Sequence, residues 1–238
     1  MDSAPSKQPG FLDYSQPQLL TGTLYEMGSD LKKVLFTYRR TSTLSNSTVH
    51  ALIEYGSTTG ALVARERMLY ESGKLVSCEL EELQNGAQGS VSVSRNTAKG
   101  QMLFSFTPSK DGKAKQSSEK LQEDALVNDM IPYFIQTHWD RLSQGQAVKF
   151  RYVALERAET VGFKLVKDAE TTWKGIPALR IKMQATSVVI AALVDPLHFT
   201  VEKNGQHRVL EYVGRTTPKI QRSGNWKDLD AVTIFDWK

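Results

Sequence analysis

The stretch STVHALIEYGSTTGALVARERMLYESGKLVSCELEEL, residues 47–83, contains three segments with strand character. Polar and apolar residues alternate within each segment, and the β-branched and aromatic residues that favour strands are enriched. The intervening STTG and ESGK sequences are typical of turns. This stretch therefore predicts three consecutive antiparallel strands joined by short connections.

The same pattern continues on both sides of this stretch. It recurs in GTLYEM, LKKVLFTYRR, GSVSVSR and QMLFSFT, and again in AVKFRYVALER, ETVGFKLVKD, IPALRIKMQA and AVTIFDW. Roughly a dozen strands are too many for one flat sheet. The sequence therefore predicts a mainly β (α+β) fold, in which a strongly curved antiparallel meander or incomplete barrel carries one main helix on its concave face.

The main helix is predicted from IPYFIQTHWDRLSQG, residues 131–145. At helical spacing, one face of the segment carries a broad apolar stripe that also includes an imidazole. The stripe consists of Ile131, Phe134, Ile135, His138, Trp139 and Leu142. We expect one helix over residues 131–142 with this stripe against the sheet. SVVIAALVDP predicts a short apolar helix or a buried turn.

Composition limits the classes of protein to consider. The chain has 238 residues, 40% hydrophobic and 24% charged, which suits an ordinary globular core. Cys78 is the single cysteine, so an intramolecular disulfide and a thiolate metal cluster are both excluded. The net charge of +4 is spread along the chain without the basic patch of nucleic-acid-binding proteins. No apolar run approaches the ~20 residues of a membrane-spanning helix.

The domain organisation is predicted from shifts in composition. Residues 1–20 are rich in Pro, Ser and Gln, lack a hydrophobic signal segment, and are expected to form a flexible leader. Residues 21–238 are expected to form a single β-rich domain with a long polar loop at 108–120. Such a leader often follows a signal peptide or lipid-anchor site in an exported protein, and the loose tail of a cytoplasmic protein would look the same.

Two turns predict strand registers. Asn204-Gly205 is the preferred pair for a two-residue hairpin, and that turn places Glu202 opposite His207 and His198 opposite Glu211. His198 and Glu202 would lie roughly 13 Å apart along the strand, too far to share one metal ion. We therefore expect exposed charge pairs, with no metal and no cofactor. The turn at residues 72–73 places Cys78 opposite Arg67, as a small buried side chain.

Several segments resemble a family of exported bacterial proteins of unknown function. They are LYEMGSDLKKVLFTYRR, ESGKLVSCELEE, LVNDMIPYFIQTHWDRLSQGQAVKFRYVALERAETVGFKL, LVDPLHFTVE and VLEYVGRTTPK. The similarity runs from Gly22 to Phe235. It implies a β-rich fold and a periplasmic or otherwise envelope-associated location. The expected architecture is also similar to that of the periplasmic lipoprotein carriers, in which helices cover an apolar cavity in an incomplete barrel.

The sequence contains none of the common catalytic motifs that would identify a reaction. The sequence contains no GxGxxG, GxxxxGK[ST], GxSxG or HExxH pattern, so we expect a non-enzymatic protein. The inward aromatic residues could fill a core or line a cavity, and both interpretations stay open. His138 could bind a ligand headgroup or could donate to a backbone carbonyl. The candidate ligand-binding residues are Phe104, Phe134, His138, Trp139 and Phe150.

Three functional hypotheses follow. The protein holds a lipid or other apolar small molecule in the curved sheet, or serves the envelope through a protein partner. Alternatively, it is an enzyme with a site near His138, or an interaction module that pairs through an exposed sheet edge. A continuous apolar cavity favours the first hypothesis, a polar cleft at His138 the second, and a filled barrel with a bare edge the third.

Overall fold

The computed structural model describes residues 13–96, 100–192 and 195–237, and the first twelve residues of the predicted leader lie outside that range. The described part contains fifteen strands in one sheet. They are β1 (Leu19–Glu26), β2 (Val34–Ser45), β3 (Thr48–Ser57), β4 (Leu62–Glu71), β5 (Lys74–Glu82), β6 (Ala87–Ser94), β7 (Gln101–Thr107), β8 (Lys115–Lys120), β9 (Ala125–Leu126), β10 (Val148–Ala154), β11 (Glu159–Trp173), β12 (Ile176–Ala185), β13 (Leu197–Glu202), β14 (Val209–Arg222) and β15 (Asn225–Asp236). The helices are α1 (Ile131–Thr137), α2 (Trp139–Ser143) and α3 (Val188–Ala191), with 3-10 turns at Asn128–Met130 and Leu155–Arg157.

The sheet follows the order of the chain almost without exception. Strands β1 to β8 and β10 to β15 each pair antiparallel with their chain neighbours, and β1 pairs with β15. The sheet therefore begins and ends at β8 and β9, the latter pairing parallel to β10. This confirms the predicted mainly β fold, a strongly curved and unclosed antiparallel meander with helical residues inside the curve.

Side chains of edge strand β8 contact the turn between β10 and β11 and the start of β11. Glu119 on β8 accepts from the Thr160 backbone N–H at 2.9 Å and from the Thr160 hydroxyl at 2.6 Å. Lys115 donates to the Arg157 carbonyl at 2.6 Å, and the Ser117 hydroxyl donates to the Ala158 carbonyl. These side-chain contacts hold β8 against residues 157–160, and the other edge strand, β9, is two residues long.

Period-2 alternation decides which side chains enter the barrel. On β4, Glu66, Met68 and Tyr70 point inward and are buried, whereas the intervening Arg65 and Arg67 lie outside. The two arginines form ion pairs with Glu81 on the outer surface. The same alternation places Arg40 of β2 inside the barrel.

A buried ion pair fixes the helical segment inside the sheet. Asp129 accepts from Arg40 at 2.5 and 3.1 Å and from the Tyr70 hydroxyl at 2.8 Å. Arg40 also donates to the Tyr14 and Pro17 carbonyls at 2.8 and 2.9 Å. Burial lowers the pKa of Arg40, but the charge and hydrogen bonds of Asp129 more than offset that effect. The guanidinium therefore remains charged and satisfied inside the protein.

The predicted helix is two short helices that meet at His138. Ile131, Phe134, Ile135, Trp139 and Leu142 are all buried, as the stripe predicts, and His138 is half-buried. The Thr137 hydroxyl bonds to the carbonyls of residues 133 and 134 at 3.1 Å, and His138 Nδ1 lies 3.0 Å from the latter. These side chains compete for the backbone acceptors, which accounts for the break.

Two predicted boundaries differ from the structure. Residues 115–120 of the predicted loop at 108–120 form edge strand β8, because the contacts with residues 157–160 give this polar segment partners. In the predicted leader, Tyr14 is buried and stacks on Tyr70 at a ring-centroid distance of 4.2 Å. The Tyr133 hydroxyl donates to the Gln16 carbonyl, so the described end of the leader packs against the domain.

Both predicted registers are wrong. The β13–β14 connection spans residues 203–208, so His198 faces Val213, and Glu211 faces Thr200. Glu202 instead pairs with Arg208 at 3.0 Å. A register shift between Leu69 and Tyr70 moves β5 by one residue, so Cys78 faces Met68, and Arg67 faces Glu79. Irregular pairing near a turn is a tertiary feature that turn propensity does not reveal.

Replacing Asp129 with Asn should destabilise the fold strongly. The substitution keeps the shape of the side chain but leaves the buried Arg40 without its counter-charge, which typically costs about 3–5 kcal/mol. Urea unfolding measures the loss. Asp30→Asn is the matched control, because Asp30 and Lys32 form an exposed pair at 3.9 Å that should contribute less than about 0.5 kcal/mol. Equal stabilities of the two variants would contradict this role.

Replacing Trp139 with Ala tests the packing of the helical segment. Trp139 is buried and stacks on His207 at a ring-centroid distance of 4.1 Å, so we expect the free energy of unfolding to fall by about 3–5 kcal/mol. Trp226→Ala provides the control, since that indole is 39% exposed on the β14–β15 hairpin. A Trp139→Ala protein that melts at the wild-type temperature would show that this contact is dispensable.

Candidate functional site

The barrel interior is not filled throughout. A cavity of about 260 Å³ lies between the 3-10 turn at residues 128–130 and the surrounding sheet. A second cavity of about 100 Å³ adjoins it and shares part of the same wall, including Asn128, Met183, Leu197, Tyr212 and Thr217. The wall of the larger cavity is mainly apolar, with Leu80, Val153, Val161, Phe163, Met183 and Leu197 among its residues.

The larger cavity reaches one end of the barrel. In an antiparallel meander every second connection lies at the same end, and the turns at 155–158 and 186–196 share an end here. Leu155, Glu156 and Arg157 from the first turn and Ile190 from α3 all line the cavity. The helical segment that carries Asp129 packs within the barrel from the opposite end. The site is therefore a half-enclosed apolar chamber with a floor and one open end.

Glu66 is a buried acidic group on the cavity wall. It is 4% exposed, and its Oε1 accepts from the Thr217 hydroxyl at 2.5 Å and from the Tyr55 hydroxyl at 3.5 Å. Burial raises the pKa of the Glu66 carboxyl above its ordinary value of 4.5, and the Thr217 hydrogen bond opposes part of that rise. The nearby charge of Asp129 raises it further. Glu66 therefore places a strong hydrogen-bonding group on a wall that is mainly apolar.

A second polar pair projects from the floor of the chamber. Asn128 belongs to the 3-10 turn inside the barrel, yet its side chain has accessible surface because it faces the cavity. Its Oδ1 accepts from the Tyr152 hydroxyl at 2.7 Å. Asn128 and Asp129 are neighbours in the chain but have different roles. Asp129 holds the turn against β2 and β4, and Asn128 faces the space beyond it.

A β-bulge in β14 brings this strand into contact with β4 and with the turn that follows β5. The pairing of β14 with β15 shifts register between Thr216 and Ile220. Within that bulge, Thr217 reaches Glu66 of β4, and the backbone of Lys219 bonds twice to the Gln84 side chain, at 2.7 and 2.9 Å. Bulges commonly re-aim side chains near functional sites. Here the bulge narrows the barrel and places a hydroxyl on the buried acid.

Charged residues form a fixed network beside the open end. Lys219 is 8% exposed and lies 2.6 Å from Glu156, 2.9 Å from Asp228 and 3.3 Å from Glu82. Burial lowers the pKa of Lys219, but the carboxylates around it more than offset this, so the net pKa is raised. Arg215 pairs with Asp228 and, at 2.9 Å, with Asp230. These basic groups are therefore already neutralised by protein carboxylates.

Cys78 also lies on the wall of the larger cavity. It is buried, and burial raises the pKa of its thiol well above the ordinary value. The thiolate is the nucleophilic form of cysteine. Its position therefore agrees with the predicted role of a small buried side chain.

Four of the five predicted ligand-binding residues lie in the packed part of the core, and the fifth, His138, is half-buried where the two helices meet. The Phe134 ring is 5.3 Å from the Phe150 ring and 4.1 Å from the His138 ring, centroid to centroid. Trp139 packs on the β13–β14 connection, and Phe104 is buried on β7. None of the five is among the described residues that line the two cavities. Within the described residues, no group of three His, Cys, Asp or Glu side chains could hold a metal ion.

Sequence reasoning missed the residues that do line the chamber. Alternation alone predicts that Glu66 and Tyr55 point inward. Met68 and Ile53, each two positions away, are apolar and mark the inward faces of β4 and β3. An acid at an inward position is the signal that could have drawn attention to Glu66. Nothing local in the sequence places Thr217 on Glu66, since the two residues are 151 positions apart.

Comparisons with known proteins give distant similarity to solved structures only. No family model matches the chain, and no curated protein matches it. A β-barrel-like protein of the domain of unknown function DUF1849 from Brucella abortus is 8% identical, with 91% of this chain and 92% of that chain covered and a TM-score of 0.38. A porin-like protein from Bacteroides uniformis is 9% identical, with 92% and 96% covered and a TM-score of 0.29. The description of the fold rests on the strand pairing itself.

The described helices are all too short or too polar to cross a membrane.

Replacing Glu66 with Gln should change how stability depends on pH. A raised carboxyl pKa means that the folded protein binds this proton more tightly than the unfolded chain does. The resulting stabilisation is present below about pH 4.5 and is lost as the pH rises through the folded-state pKa. Gln does not titrate, so the stability of the variant relative to wild type should increase from about pH 4 to about pH 8. Urea unfolding at several pH values measures this, and parallel pH profiles would contradict it.

Proposed function

We propose that this protein is a non-enzymatic binding protein that holds a small apolar or amphipathic molecule in the chamber described above. The observation that carries the proposal is the mainly apolar cavity of about 260 Å³ that the sheet encloses with the turns at 128–130 and 155–157. Ligand sites in proteins are typically concave and mainly apolar, with a few polar groups that fix orientation. Glu66, Asn128 and Tyr152 supply such groups here.

The size of the chamber suggests the size of the ligand. The two adjoining cavities, of about 260 and 100 Å³, lie near the lower end of the range of roughly 300–1,000 Å³ for small-molecule sites. That space suits one short aliphatic chain or a small ring system. Burying eight methylene groups would gain roughly 6 kcal/mol before the costs of association. Dissociation constants for such simple probes should therefore be of the order of 0.1 mM or weaker.

The two alternative functions have less support. An enzyme site at His138 would require a polar cleft there, but His138 Nδ1 lies 3.0 Å from the Phe134 carbonyl, and the residue lines neither cavity. An interaction module would pair through a sheet edge, but the described edge strands are short: β8 has six polar residues, with side chains bonded to residues 157–160, and β9 has two residues. The cavity therefore supports ligand binding better than either alternative.

We further propose that the protein works in the bacterial envelope. This location is supported by the resemblance of the quoted sequence segments to exported bacterial proteins. A barrel that shields an apolar molecule from water would suit transport or storage in an aqueous compartment such as the periplasm. Fractionation of the native host followed by detection with an antibody tests the location, and a signal confined to the cytoplasmic fraction would overturn it.

Filling the chamber should abolish binding of an uncharged apolar fluorophore. Leu197 lines both cavities, so Leu197→Trp places an indole where the ligand would lie. We expect N-phenyl-1-naphthylamine to bind the wild type with enhanced fluorescence and to bind Leu197→Trp roughly tenfold more weakly, or not at all, because less apolar surface can be buried. A fluorescence titration measures both affinities.

The matched control is Leu44→Trp, because Leu44 is 62% exposed on β2. It introduces the same side chain outside the chamber and should leave binding unchanged. Circular dichroism confirms that both variants are folded. Equal binding by the wild type and Leu197→Trp would place the fluorophore elsewhere. Native mass spectrometry of protein purified from its own host then identifies the ligand that co-purifies.

A further inference from the structure

Glu66 differs from the other buried charged side chains. In the described part of the chain these are Arg40, Glu66, Glu82, Asp129 and Lys219. Arg40 pairs with Asp129, and Lys219 pairs with Glu82. Glu66 has hydroxyl partners, but the described residues place no Lys or Arg within ion-pair distance of it. A buried carboxylate without a basic partner is costly, so burial favours the protonated form of Glu66 until a counter-charge is present.

The surroundings of Glu66 suit a positive group. The Tyr55 hydroxyl lies 3.5 Å from the carboxyl, and Phe163, Tyr152 and Tyr212 contribute aromatic surface to the larger cavity that Glu66 lines. Aromatic faces attract cations, and the attraction is stronger when water is excluded. Arg215 also lines the chamber, but its guanidinium already pairs with Asp228 and Asp230. The chamber therefore combines one uncompensated acid with aromatic walls.

We infer that the ligand is an amine-bearing amphiphile, whose ammonium group pairs with Glu66 while its apolar part occupies the rest of the chamber. This inference rests on the proposed function and names the class of ligand. The Tyr55 and Thr217 hydroxyls hold the carboxyl in place by donating to Oε1. The ammonium provides the counter-charge that the protein itself supplies to every other buried acid in its described part.

The other headgroup classes fit this site less well. A carboxylate would meet Glu66 with like charge, and the charge of Asp129 lies close behind it. A neutral hydroxyl could hydrogen-bond but would leave the acid without a counter-ion. Burial raises the pKa of Glu66 in the unliganded chamber, and a bound ammonium would lower it again. An amine thus gains a charge-assisted hydrogen bond that an alcohol of equal length does not.

The test compares three probes with the same eight-carbon chain: octylamine, 1-octanol and octanoate. Isothermal titration calorimetry near pH 7 measures each affinity for the wild-type protein. We expect the amine to bind roughly ten- to hundredfold more tightly than the alcohol, with octanoate weakest, because only the amine forms an ion pair with Glu66. This ranking tests the inference without any substitution.

Substitutions then assign the preference to Glu66. Glu66→Gln should bind octylamine and octanol with affinities within about a factor of three, because the ion pair is gone while the apolar contacts remain. Glu54→Gln makes the same chemical change on the outer face of the neighbouring strand β3 and should retain the wild-type ranking. Circular dichroism and urea unfolding establish that each variant is folded before its affinities are compared.

Each outcome separates the two proposals. If octanol or octanoate binds the wild type as tightly as octylamine, or if Glu66→Gln keeps the preference for the amine, the inference about the headgroup is wrong and the chamber still binds apolar molecules. If none of the three probes binds and N-phenyl-1-naphthylamine also fails to bind, the proposed function itself is wrong, and the headgroup inference fails with it.

Discussion

The buried ion pair between Arg40 and Asp129 is the interaction on which the rest of the interior depends. It links β2 to the helical segment, and the Tyr70 hydroxyl extends the link to β4. The same guanidinium holds the Tyr14 and Pro17 carbonyls, so the chain before β1 is fixed as well. An unpaired charge at this depth would be unstable, so the segment has one position in which all these groups are satisfied. With the helical segment in that position, the cavity beyond Asn128 stays unfilled.

Two of the three acids buried in the described residues, Asp129 and Glu66, have contrasting surroundings. Asp129 has a guanidinium and a phenol as partners, and its role in holding the helical segment follows from that arrangement. Glu66 has two hydroxyls and faces the chamber. The contrast matters because, of these two acids, only Asp129 receives a counter-charge from the protein. A fold that tolerates Glu66 in this environment has a group ready to recognise a complementary ligand.

The curved sheet surrounds this interior although its two edge strands, β8 and β9, are not joined by backbone hydrogen bonds. Glu119, Ser117 and Lys115 on β8 bond to residues 157–160, so side-chain contacts join this edge strand to the far part of the sheet. The β14 bulge then draws one wall towards β4 and β5. Together the β8 contacts and the bulge make the barrel asymmetric. One end is packed around the helical segment, and the other holds the chamber.

The sequence by itself determined the strands, their antiparallel meander and the buried stripe of the helical segment. These are local properties, because alternation marks which side of a strand is buried and the 3.6-residue period marks one face of a helix. Only the tertiary structure decided the registers near the β4–β5 and β13–β14 turns, the break at His138 and the strand at 115–120. It also decided that the interior is hollow beside Glu66. Periodicity shows that Glu66 points inward, but its contact with Thr217 depends on a bulge in β14 and on the curvature of the whole sheet.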